Sequence, residues 1–91
     1  MNKTELIEAI ANRTGLTKKD VEKGLNAMIE TISDTIAAGE KVSIVDFGIF
    51  DTKHRASRTG RNPRTNELIS IPAQTVPEFR PGKSLKEKVA K

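Results

Sequence analysis

The order of patterns along the chain predicts an α+β fold, with a pair of helices first, antiparallel strands next and a short helix last. Three observations carry the prediction. Apolar residues between Leu6 and Ile36 recur at helical intervals of three and four. From Lys41 the interval falls to two, the period of a strand with one buried face. Between Thr52 and Thr75 turn residues cluster at the centre, and the first half offers almost no apolar side chain to bury.

The elements follow in order. Asn2 is placed as an N-cap with Glu5 at capping-box spacing, and Leu6, Ile7 and Ile10 form the apolar face of a first helix. Gly15, between Thr14 and Leu16, marks a left-handed C-cap. Thr17 opens a second helix with Asp20 at its third position. Val21, Leu25, Met28, Ile29, Ile32 and Ile36 then hold the helical period for about four turns, until Ala38-Gly39. The short Thr14–Thr17 connection makes the pair an antiparallel helical hairpin. Val42 and Ile44 begin the strands, and Phe47, Ile49 and Phe50 surround Gly48 at a tight connection into a second one. Ile69, Ile71 and Ala73 alternate on a later run, and Val76 and Phe79 return to the core. Beyond Pro81-Gly82 a last helix is expected, with Ser84 and Glu87 as its capping box and Leu85 and Val89 one turn apart. The stretch from Thr52 to Thr75, with Gly60, Asn62, Pro63 and Asn66 at its centre, reads as two strand limbs and a tip. Each limb of about ten residues would reach roughly 30 Å. A two-stranded ribbon of this kind is marginal in water and should be mobile without a ligand.

Composition bounds the function. Ninety-one residues make one domain with a modest core, for which self-association is a natural supplement. There is no cysteine, which excludes disulfides and thiolate metal sites. No apolar run approaches the roughly 18 residues of a membrane span, and MNKTELIEAI lacks the layout of a signal peptide. A soluble intracellular protein with no membrane partner is expected. The net charge is +4, and it is unevenly spread: residues 1–39 carry 5 basic and 6 acidic side chains, residues 40–91 carry 11 and 6. Lys53, Arg55, Arg58, Arg61 and Arg64 fall in one 12-residue block with His54 and no carboxylate. Such a field favours a polyanion.

Catalysis is not supported. Asp46-Phe47-Gly48 matches the metal-binding triplet of protein kinases, but no Gly-rich loop or HRD accompanies it. His54 has no cysteine or carboxylate motif around it, so no metal, cofactor or acid–base pair is expected. A small basic RNA-binding protein, or a single-strand binder, would stack bases on exposed aromatics. The only aromatics here, Phe47, Phe50 and Phe79, stand in apolar contexts and the basic stretch has none, which favours duplex DNA.

The centre of the basic stretch reads Gly60-Arg61-Asn62-Pro63-Arg64-Thr65. With MNKTELI at the start, GLTKKDVE at the second helix, AAGEKV before the strands, Phe47-Gly48 and Phe50, and VPEFRPGKSLKEKV at the end, the chain closely resembles the HU and integration host factor family of histone-like bacterial DNA-bending proteins. Order and spacing fit along essentially the whole length. The resemblance implies an intertwined homodimer of single-domain chains. Residues 1–39 would be the helical hairpin, 40–52 and 76–81 a three-stranded antiparallel sheet, 53–75 a long β-hairpin DNA-binding arm, and 82–91 the C-terminal helix. Leu25, Ile29, Ile32, Ile44, Phe47, Phe50 and Phe79 would form the dimer core.

It also implies how DNA is handled. The arms of the dimer would embrace duplex DNA, and two kinks would result. A minor groove about 6 Å wide must be opened to admit a ribbon, which an apolar wedge between base steps achieves by unstacking. Pro63, apolar, fixed in φ and without an N–H, suits the intercalating role. Arg61 and Arg64 flank it, Asn62 can reach base edges, and Lys53, Arg55 and Arg58 line the rising limb. Lys83 stands at the start of the last helix, where free N–H groups favour an anion. Lys3, Arg80 and Lys86 are further phosphate contacts. The expected function is that of an architectural protein of the cytoplasmic nucleoid, bending and compacting DNA without sequence specificity and preferring bent, nicked or junction DNA. A site-specific bender like integration host factor is the alternative.

Three positions depart from the family's pattern. Asp46 stands where glycine is common, Lys53 where arginine is usual, and Arg64 where glutamine is frequent. Lys53 keeps the charge but loses the planar fork, and Arg64 adds a cation to the tip.

Overall fold

The computed structural model describes residues 1–90, in two compact units that divide after Thr35. The first unit holds α1 (Lys3–Thr14) and most of α2 (Lys18–Ala37). The expected caps are present. Asn2 Oδ1 accepts from the Glu5 N–H at 2.8 Å while Glu5 Oε1 accepts from the Asn2 N–H at 3.4 Å, a reciprocal capping box. Gly15 has φ 77° and its N–H donates to the Ala11 carbonyl at 2.9 Å. Thr17 Oγ1 then accepts from the Asp20 N–H at 3.1 Å and starts α2. Ala11 and Val21 are the buried apolar residues of this unit, whereas Met28 and Ile29 are close to half exposed.

The second unit carries β1 (Val42–Ile44), β2 (Gly48–Arg55), β3 (Arg58–Arg61), β4 (Leu68–Ile71), β5 (Gln74–Pro81) and α3 (Lys83–Val89). One antiparallel sheet has the order β1-β2-β5; β3 and β4 pair separately. The tight connection between β1 and β2 is a turn in which the Phe47 N–H donates to the Ile44 carbonyl at 3.0 Å and Asp46 takes φ 66°. Glycine takes that left-handed conformation without strain and aspartate tolerates it; nothing in the structure explains why aspartate stands there. Gly48 follows because nothing larger fits: a Cβ would lie 2.6 Å from the Phe79 ring and 2.7 Å from the Arg80 carbonyl. The space goes to aromatics, with ring centroids 4.7 Å apart for Phe50–Phe79, a directly opposed cross-strand pair, and 5.4 Å for Phe47–Phe79. Val76 and Phe79 are both on β5, but three residues apart and so on opposite faces.

Two expectations need correction. Ser84 and Glu87 form no capping box. The helix begins at Lys83 with Gly82 as N-cap and no side-chain cap bond, because Gly82 is fastened first: its N–H donates to the Phe47 carbonyl at 2.8 Å and its carbonyl accepts from Lys86. Ser84 thus falls inside the first turn. Gly60 is not part of the tip either. It lies in β3 opposite Ile69, where a Cβ would stand 3.0 Å from Ile71 Cδ1.

The sheet runs on into the hairpin. The β2–β5 ladder runs on to Arg55 and Gln74, inside the stretch expected to be arm. It stops there and resumes at Arg58 and Ile71, three residues further along each limb. Equal gaps preserve the register, so this is an interruption and not a bulge. Pro72, which has no N–H to give to a ladder, lies within it.

Candidate nucleic-acid interface

The basic residues reach their positions through strand alternation. On β2, Lys53 and Arg55 share a face with Asp51, and His54 lies on the other. On β3, Arg58 and Gly60 share one face and Arg61 the opposite one. The ribbon therefore carries cations on both faces. Lys53, Arg55, Arg58, Arg61 and Arg64 are all exposed. The return limb supplies apolar cover: Ile69 and Ile71 lie on the face of Arg58 and Gly60, with Leu68 opposite Arg61.

The tip is a closed loop. The Asn62 N–H donates to the Glu67 carbonyl at 2.9 Å, and the Asn66 N–H to the Asn62 carbonyl at 2.7 Å. Asn62 Oδ1 accepts from the Arg64 N–H at 2.9 Å, an Asx turn spanning Pro63. Asn62 is thus only partly available for base edges: its side-chain oxygen is engaged, leaving the amide nitrogen to donate. Pro63 is exposed within this loop. Asn66, which sequence reasoning placed only among the turn residues, has φ 61° and accepts from Arg61 Nη1 through its carbonyl at 3.2 Å and Oδ1 at 3.4 Å. Tolerance of asparagine for the left-handed region was the available clue.

The remaining candidates differ in their freedom. Arg80 Nη2 donates to Asp51 Oδ2 at 3.1 Å, an acceptor 29 residues away that sequence reasoning missed. Part of its charge is therefore engaged within the sheet. Lys83 is the first residue of α3 and stands 3.9 Å from Glu87, both largely exposed, a pairing of little strength in water. Lys86 lies one turn further on and is exposed, and Lys3 is the exposed first residue of α1 in the helical unit. Among the residues expected in a dimer core, Leu25, Ile32, Ile44 and Phe50 are half-buried, while Ile29, Phe47 and Phe79 are 46%, 41% and 37% exposed.

The profile of the family described as "Bacterial DNA-binding protein" matches residues 1–90. The DNA-binding protein HU of Clostridium pasteurianum is 55% identical over the full length of both chains. HU 1 of Bacillus subtilis is 49% identical, covering 99% of this chain and 98% of its own. Among solved structures, Anabaena HU in a cocrystal with DNA superposes with a TM-score of 0.94 at 48% identity, covering 99% and 98% of the two chains. HU from Thermotoga maritima gives 0.70 at 40% identity, with 98% of each covered.

Proposed function

This chain belongs to the bacterial DNA-binding protein family, and on that premise we propose that it is an HU-like architectural protein that bends and compacts duplex DNA by inserting its arm into the minor groove. The family's work is binding and not catalysis. The observation that carries the proposal is the tip: an exposed proline, held in a closed turn, at the end of a ribbon with cations on both faces and no acid between Lys53 and Arg64. A phosphate-lined groove attracts that ribbon. Pro63 unstacks a base step at a cost of a few kcal/mol, and the resulting bend offsets it by bringing more phosphate against the protein.

The working unit is a homodimer. No large side chain of the described residues is fully buried, and Phe47, Phe79 and Ile29 keep a third to a half of their surface open. A second copy supplies the missing cover. The body adds phosphate contacts through Lys83 at the start of α3, with Lys3, Lys86 and, when released from Asp51, Arg80. Specificity comes from deformability of the DNA, so bent, nicked and junction DNA is preferred over intact duplex. The protein acts in the cytoplasm, on the nucleoid.

Energy transfer across an end-labelled duplex tests the reading. Pro63→Ala is expected to reduce bending more than affinity, since phosphate contacts supply most of the binding. Bending equal to that of the unaltered protein would remove Pro63 from the mechanism.

A further inference from the structure

We propose that Asn66 is a positioning residue of the arm tip, closing the turn that carries Pro63 and holding the Arg61 guanidinium along the end of the ribbon. Wedge and flanking cation then meet the duplex in one fixed arrangement. This rests on the minor-groove reading given above.

Two separate features of Asn66 support it. The first is conformational. Its φ of 61° lets its N–H reach back to the Asn62 carbonyl at 2.7 Å while the Asn62 N–H reaches forward to Glu67 at 2.9 Å, so the loop is closed from both limbs. Glycine accepts that conformation freely and asparagine tolerates it; alanine does not. The second is chemical. Unlike glycine, asparagine adds a side-chain oxygen there, and Arg61 Nη1 is shared between that oxygen at 3.4 Å and the residue's own carbonyl at 3.2 Å. A guanidinium has five N–H donors, so Nε and Nη2 remain free for an acceptor outside the protein.

The arrangement has a counterpart across the proline. Asn62 Oδ1 holds the Arg64 N–H at 2.9 Å. Pro63 therefore lies between one arginine whose side chain is tethered and another whose backbone is. A long side chain ordered before binding does not have to be ordered during it. Lysine at position 61 would not serve, because a point charge on a flexible stem lacks the planar fork.

The experiment compares the full-length protein with its Asn66→Gly, Asn66→Ala and Pro63→Ala variants on an end-labelled nicked duplex. It reads affinity and energy transfer with DNA, and amide and Arg61 side-chain N–H exchange without it. Asn66→Gly keeps the backbone turn and deletes the side-chain oxygen. Amide protection at positions 62 and 66 is expected to stay, Arg61 side-chain exchange to quicken, and the bent-to-straight ratio at saturation to fall roughly fivefold, the factor of one net hydrogen bond. Asn66→Ala is expected to lose amide protection as well. An Asn66→Gly variant that bends DNA fully, or that loses tip amide protection, overturns the positioning role. If Pro63→Ala bends DNA normally in the same assay, the wedge reading falls and this inference with it; failure of Asn66→Gly alone leaves the wedge standing.

Discussion

Asp46→Gly should stabilise this protein, and the reasoning can be worked through from one dihedral angle. Asp46 sits at φ 66° in the turn between β1 and β2. A non-glycine residue in the left-handed region costs about 1–2 kcal/mol, aspartate being among the cheaper ones. Glycine removes that strain but makes the unfolded chain more flexible, which takes back about 0.4–1 kcal/mol. The net gain is about 0.5 kcal/mol per chain, or ~2–4 °C in Tm for a domain of this size. Asp46→Ala should move the other way by a similar amount, since alanine lacks the local polar contacts that ease aspartate into this region. Asp46→Asn separates charge from conformation and should leave Tm almost unchanged. The assay is thermal unfolding by circular dichroism at one fixed chain concentration, because self-association makes Tm depend on concentration. An alanine variant as stable as the glycine variant would refute the argument, since the dihedral angle would then carry no cost.

Two other outcomes are expected. Duplex affinity should fall steeply with salt, with a log–log slope of about −0.9 for each phosphate neutralised; the five arm cations of each chain make a flat response incompatible with the proposed interface. Sedimentation at micromolar concentration should give a dimer, because Phe47 and Phe79 keep over a third of their surface open in one chain. A stable monomer would contradict the shared core.

Local signals made much of the fold legible. The Asn2–Glu5 capping box and the Gly15 cap were readable because each is complete within a few residues. The arm was readable from what it lacks, namely acids and apolar side chains over a long stretch. Ser84 and Glu87 misled because the same spacing that signals a cap also occurs inside a first turn; what decided was the grip of Phe47 on Gly82, 35 residues apart. Distance in sequence hid the Arg80–Asp51 pair in the same way. The change of charge at residue 52 marks no break in the strand, because backbone pairing ignores side-chain charge and carries the β2–β5 ladder on to Arg55. At the tip the turn was legible from Asn62, Pro63 and Asn66, but the Arg61–Asn66 contact depends on a rotamer and a left-handed backbone that composition does not specify.

The break around Pro72 divides the ribbon without shifting it. Since neither limb gains a residue on the other, a change of angle at this joint leaves the odd–even alternation of side chains intact on its far side. The order of faces beyond the joint is thereby set by register alone, and Arg58 and Arg61 face opposite ways as their place in the chain dictates. One extra residue on a single limb would invert that order for every side chain beyond it.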